Sequence, residues 1–155
     1  MRKIIPILIL LVLLTSCYTI KKSTFKEYSF NQNIDFVINK IEEKNSISDY
    51  PRTNARYKSN FNDKFVLINL TLQNSSHKTQ KFNFNNFYLL DAKTNTKYRA
   101  DWAITLGFLM KNKNVNHQIK KYKNLNKTLV FMFPKKEKPR YLKINNRIIE
   151  IISKT

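Results

Sequence analysis

Apolar and polar residues alternate with a period of two along much of this chain, beginning at Ile34. Ile34, Phe36 and Ile38 alternate with Asp35, Val37 and Asn39, and Ile41 falls out of step after Lys40. The expected element is a strand with one register slip. Between Lys64 and Gln73, Val66, Ile68, Leu70 and Leu72 share one face, while Phe65, Leu67, Asn69, Thr71 and Gln73 share the other. Successive side chains of a strand point to opposite faces, so this is the clearest strand of all. Phe82 and Phe84 alternate with Asn83 and Asn85, and Phe87 and Leu89 alternate with Tyr88 and Leu90. A return strand starts over 97–99, a late strand spans 128–133 and stops at Pro134, and 141–144 pairs with 147–152 across Asn145-Asn146. Residues 74–77, 91–96 and 135–140 read as polar turns. Residues 42–60 hold no sustained pattern and predict a long loop, or a loop with a short helical turn, and the basic, Asn-rich 111–127 predicts an exposed connection. Trp102, Ile104, Leu106, Phe108 and Met110 also alternate. Trp102, Leu106 and Leu109 fit helical spacing too, but Gly107 and the β-branched residues favour a strand. Short strands at about ten-residue spacing with polar turns predict an all-β antiparallel β-sandwich.

The N-terminus follows other rules. Met1-Arg2-Lys3 precedes an unbroken apolar run from Ile4 to Leu14, and then come Thr15, Ser16 and Cys17. A charged start, a short apolar stretch and small residues at the cut are the parts of an export signal. The run is about half the length a helix needs to cross a bilayer. An ordinary signal peptide with a stray cysteine has the same parts. Leu14-Thr15-Ser16-Cys17 resembles the lipobox of bacterial lipoproteins, however. That resemblance implies cleavage between Ser16 and Cys17 and lipidation of Cys17. The domain organisation expected is a signal peptide over 1–16, a lipidated N-terminus and flexible tether over 17–32, and one domain over 33–155. The location implied is the bacterial envelope. This is the periplasmic side of the outer membrane in a Gram-negative host, or the outer face of the cytoplasmic membrane in a Gram-positive one.

Composition adds charge and removes staples. Lys and Arg number 29 against 10 acidic residues, a formal charge of +19, and cleavage would lower it by the two charges of Arg2 and Lys3. A low-GC genome enriches Lys, Asn, Ile, Phe and Tyr together, yet the scarcity of Asp and Glu leaves a real excess of positive charge. Such an excess attracts anionic lipid, lipopolysaccharide or wall polymer. With Cys17, the only cysteine, acylated, no disulfide and no thiolate metal site remains. Gly107 is the only glycine, so tight turns must lean on Asn and Asp.

The stretch Asn62-Asp63-Lys64-Phe65-Val66-Leu67-Ile68-Asn69-Leu70-Thr71-Leu72-Gln73-Asn74-Ser75-Ser76 carries a further resemblance. With the segment 82–90, the turn 91–96, the late strand Lys127–Pro134 and the closing strand Tyr141–Ile144, it resembles the telokin-like, immunoglobulin-like domains of unknown function on bacterial lipoproteins and secreted proteins. The resemblance covers roughly residues 33–152. It implies an immunoglobulin-like sandwich exposed in the envelope, with no shared catalytic or ligand residues. Members carry a glycine in the turn before the late strand, where this chain has Tyr122-Lys123-Asn124-Leu125-Asn126.

Chemistry-bearing clusters are sparse. His77 and His117 have no His, Asp or Glu at ligand spacing, so no metal and no cofactor is expected. Neither a nucleophile elbow nor a glycine-rich phosphate loop is present. Glu42-Glu43 is the only adjacent acidic pair and would point to opposite sides of a strand. No enzyme is expected. Two basic stretches are candidate anion-binding residues: Lys111, Lys113, Lys120, Lys121 and Lys123, and then Lys135, Lys136, Lys138 and Arg140. Tyr122 and Tyr141 lie among them and could stack on sugars. An export signal argues against nucleic acid as the partner. Trp102, Ile104, Leu106, Phe108 and Met110 are either core or an apolar edge able to recruit a partner chain. The expected function is a lipid-anchored, non-enzymatic binding module for an envelope component. The alternative is a polyanion-binding protein that uses its Lys/Arg loops. An envelope hydrolase has only its location in favour.

Overall fold

The strand expected over 64–73 is the spine of the molecule, because apolar residues occupy one of its faces throughout and half of the other. The structure, a computed structural model, describes residues 27–48, 56–91, 93–104 and 115–151. Its strands are β1 (Glu27–Ser29), β2 (Ile34–Lys44), β3 (Ser46–Ser48), β4 (Arg56–Lys58), β5 (Asp63–Asn74), β6 (Gln80–Asn83), β7 (Phe87–Leu90), β8 (Lys97–Arg99), β9 (Trp102–Ile104), β10 (Asn116–Ile119), β11 (Asn124–Pro134), β12 (Tyr141–Ile144) and β13 (Arg147–Glu150). One turn of 3-10 helix, Phe84–Asn86, separates β6 from β7; the Asn83 side chain caps it by accepting from the Asn85 N–H.

Two antiparallel sheets carry the fold. The larger has the order β1-β2-β5-β11-β9 and the smaller β13-β12-β7-β8, with two-stranded ribbons β10-β6 and β3-β4 beside them. The β5–β11 ladder is continuous from Gln73↔Asn124 to Asp63↔Pro134. The register of β2 against β5 shifts between Ile38 and Lys40, a β-bulge at the slip read from Ile41. The fold is therefore the antiparallel β-sandwich the alternation predicts. Phe36, Val66, Ile68, Leu70, Leu72, Leu129, Phe131 and Phe133 project from the larger sheet onto Phe87, Leu89, Leu142 and Ile144 of the smaller, all buried. Phe82, Phe84 and Ile119 complete this core.

The opposite face of the larger sheet is divided. Near the start of β5, Phe65, Leu67, Ile104 and Val130 form a second buried cluster with Ile47, flanked by Trp102 and Met132. Farther along, Asn39 donates to Asn69 and Thr71 (both 2.8 Å), Asn69 donates to Thr128 (3.0 Å), and Thr71 donates to Asn126 (2.8 Å). Cross-strand polar pairs of this kind hold a water-facing sheet together.

Three expectations need correction. The described residues between 42 and 60 are largely strand: β2 runs on to Lys44, and β3 and β4 pair as a ribbon whose Ile47 packs with Phe65 and Leu67. Strands of three residues are too short to display alternation. The connection expected over 111–127 contains β10, which pairs with β6, and the first residues of β11. Residues 27–29, expected to lie in the tether, are strand β1. Glu27, Tyr28 and Ser29 pair with Val37, Phe36 and Asp35, and Tyr28 and Phe30 pack on the core. Burying two aromatic rings stabilises this segment enough to order it.

Candidate functional site

The lysine-rich stretches occupy turns, and β11 decides where those turns lie. Lys120, Lys121 and Lys123 precede β11, while Lys135, Lys136, Lys138 and Arg140 follow it; all seven are exposed. Eleven residues of strand separate the two groups by roughly 35 Å. They form two basic poles, not one site. Lys111, Lys113, Leu106, Phe108 and Met110 lie outside the described residues, as do Ser16 and Cys17.

At the first pole one buried asparagine organises the backbone. Asn74 is 1% exposed, and its Nδ2 donates to the carbonyls of Lys78 (2.8 Å), Ile119 (3.0 Å) and Lys120 (3.1 Å). Its Oδ1 accepts from the N–H and hydroxyl of Ser76, and its own N–H donates to the Lys123 carbonyl. The Asn74-Ser75-Ser76 string thus fastens the turn that carries Lys120, Lys121 and Lys123. The Lys123 N–H closes that turn onto the Lys120 carbonyl (3.2 Å), which forces Tyr122 to φ 52 with its ring out in water. A side chain in the left-handed region carries a steric cost that glycine avoids. Tyr122→Gly should therefore raise the unfolding free energy by about 1 kcal/mol. A lower midpoint in urea would contradict this reading of the turn. Among the described residues, Asn95 (φ 55) and Asn145 (φ 51) also take left-handed turn positions, as expected for a chain so poor in glycine.

At the second pole a buried lysine plays the organising part. Lys64 Nζ meets Glu43 Oε2 at 2.7 Å and donates to the carbonyls of Glu137 (2.6 Å) and Lys135 (3.3 Å). The Lys135 N–H donates to Asn62 O (2.8 Å), so the basic turn lies against the turn between β4 and β5. Lys93 pairs with Glu137 (3.2 Å) and Arg140 with Glu150 (3.4 Å), which leaves Arg140 a weaker anion ligand than expected. Phe61, absent from the sequence-based candidates, stands 91% exposed in this turn. A large apolar residue between turn-forming Asn60 and Asn62 was its sequence signal.

Asp91 anchors the neighbouring turn. Its carboxylate accepts from the Lys93 N–H (2.8 Å) and the Thr94 hydroxyl (2.8 Å), which hold it below its ordinary 3.8, the Lys93 bond contributing most. A depressed carboxylate stabilises the fold above its unfolded value, and that contribution is lost as pH falls through the lowered one. An NMR titration should place Asp91 below 3.8, and Thr94→Ala should move it upward; a midpoint at or above 3.8 in the parent would refute the geometry. Burial lowers the Lys127 amine in β11, and the Lys40 hydrogen bond is the main cause holding Glu42 down, with Lys44 adding to it.

The apolar edge is divided too. β9 is an edge strand against β11; Ala103 enters the main core, while Trp102 and Ile104 join the second cluster on the outer face. Trp102 is half-buried, edge-on to Tyr57 (5.5 Å) and 6.1 Å from Phe65. His77 sits in its expected turn, but His117 lies in β10, edge-on to Phe84 at 5.4 Å. Among the described residues no three His, Cys, Asp or Glu converge to hold a metal. A groove of about 230 Å³ opens at the first pole beside Phe30, Ile144, Arg147 and Ile149.

The sequence profile of a domain of unknown function, DUF4352, matches residues 24–151. The chain belongs to the DUF4352 family. The match begins just ahead of β1, in agreement with the strand found there. No curated protein matches the chain. Among solved structures, a conserved hypothetical protein from Bacillus anthracis is similar at a TM-score of 0.63 and 17% identity, covering 82% of this chain and 92% of its own. An uncharacterised β-sandwich protein from Clostridium difficile is similar at 0.51 and 13% identity, covering 76% of this chain and 80% of that one. At such identities the likeness is one of fold.

Proposed function

We propose that this DUF4352 chain is a lipid-anchored envelope protein whose sandwich is a non-enzymatic binding module. The Leu14-Thr15-Ser16-Cys17 string ahead of a single β-sandwich carries the reading. Acylated Cys17 ties the domain to a membrane. Two acyl chains anchor stably where one is marginal, since each buried methylene contributes about 0.8 kcal/mol. A sandwich that carries lysine-bearing turns at both ends of β11 is a scaffold for recognition at loops and sheet edges. The partner is an envelope protein, and the edge strand β9 beside Trp102 is one surface that could receive it.

A second reading has its own support. Lys120, Lys121, Lys123, Lys135, Lys136 and Lys138 are exposed and enter no ion pair with the other described residues. Lysines held this way suit an anionic polymer such as lipopolysaccharide or wall polymer. Salt separates the two readings, because attraction between exposed charges is screened within about 8 Å at physiological ionic strength. The test is capture of envelope components from the host by the full mature chain, washed in a salt series. One protein retained through high salt supports the interaction module. Release of everything at moderate salt, with anionic polymer in the eluate, replaces it with the polyanion reading.

A further inference from the structure

Phe61 has no role in the fold, yet its position is tightly built. The Asp63 N–H donates to Asn60 O (3.1 Å) and Asn60 Nδ2 donates to Asp63 Oδ2 (3.3 Å), closing a turn with the ring at its tip. The Lys135 N–H bond to Asn62 O and the Lys64 amine on the Lys135 carbonyl lock the basic turn alongside. Lys58 ends the strand leading into the Phe61 turn and is exposed. The result is a bare phenyl ring at one end of the sandwich, three residues after Lys58 and in a turn hydrogen-bonded to the one that carries Lys135 and Lys136. No other large hydrophobic residue among those described is so exposed.

We propose that the Phe61 turn, with Lys58, Lys135 and Lys136, is a membrane-contact tip that seats the domain on an anionic bilayer. An aromatic ring enters the boundary between headgroups and acyl chains, while lysines beside it meet lipid phosphates. The chain direction favours a bilayer over a protein partner. β1 is antiparallel to β2, and β2 ends at Lys44 opposite Phe65, at the Phe61 end. Followed back from Ser29 to Glu27, the backbone therefore heads toward the Phe61 pole. The seven residue steps of β2 from Val37 to Lys44 cover roughly 24 Å. The ten residue steps from Cys17 to Glu27 can span up to about 35 Å, enough to bring an anchored Cys17 level with the tip. The proposal rests on the lipid-anchor reading for its bilayer.

The test uses the full mature chain in vesicles of phosphatidylcholine alone or mixed with phosphatidylglycerol, some with brominated acyl chains. Trp102 is the only tryptophan, so Phe61→Trp in a Trp102→Phe background reports on the tip alone. If Trp102→Phe disturbs the outer cluster, Phe61→Trp with Trp102 retained, read as a difference from the parent, replaces it. The expected result is a blue shift and bromolipid quenching with phosphatidylglycerol, both lost on K135E/K136E, while Tyr122→Trp in the same background stays water-like. Water-like, unquenched emission from Phe61→Trp in both vesicle types overturns the proposal, as does a shift that needs an added envelope protein. The intact mass of the same sample separates the two claims. Acylated Cys17 without quenching rejects the tip alone, and quenching with an unmodified Cys17 rejects the anchor and leaves the tip standing.

Discussion

Replacing Phe87 with alanine should cost about 4 kcal/mol of unfolding free energy. Phe87 is fully buried, and its ring meets those of Phe30 (6.1 Å), Phe36 (6.2 Å), Phe82 (5.7 Å) and Phe84 (5.5 Å). These partners come from β2, β6, the 3-10 turn and the segment after β1, so the cavity would open where several elements join. Neighbours held by a sheet on each side relax little, which puts the loss in the upper range for such truncations. A domain of this size has roughly 5–15 kcal/mol in total, so the melting temperature should fall by more than 10 °C. Phe61→Ala is the control. The same side chain, 91% exposed, should change stability by less than about 0.5 kcal/mol. Equal losses for the two variants in urea would mean that the core has been misplaced.

Asn74→Ala should cost about 3 kcal/mol, nearly as much from a far smaller side chain. The loss is polar in origin. Three carbonyls converge on Nδ2, and alanine takes that donor from each, the Ile119 carbonyl in a buried position and those of Lys78 and Lys120 in part-buried ones. Asn74→Asp separates hydrogen bonding from volume. It is the same size but turns an oxygen toward the carbonyls of Lys78, Ile119 and Lys120, so it should destabilise at least as much as alanine. Should Asn74→Asp prove nearly neutral, Asn74 would not be the clasp of this pole. Hydrogen exchange should also show the amides of 120–123 losing protection first, because their turn hangs on this side chain.

The sequence displayed what repeats and concealed what is short or distant. Alternation in the twelve residues of β5 was plain, β11 was legible over 128–133 but not at its start over 124–127, and the slip at Ile41 marked the bulge in β2. Apolar Phe65 and Leu67 on the second face of β5 already required a cover, but β3 and β4 are too brief to announce themselves as that cover. β1 was hidden by its polar neighbours, since only Tyr28 and Phe30 among them turn inward. Of the candidate surfaces, the lysines were legible one by one. Their separation was not, because it depends on β11 running between them. Phe61 was overlooked for a related reason: a lone aromatic in a polar stretch acquires meaning only when its turn is joined to the one that carries Lys135 and Lys136.

The central claim is that the sandwich is held at a membrane by lipid on Cys17. Intact-mass analysis of the chain recovered from host membranes tests it most directly. The account predicts a mature chain that begins at Cys17, carries acyl chains and partitions with membranes. A chain that keeps residues 1–16, or one cut elsewhere with a free Cys17 thiol and released in soluble form, would contradict it.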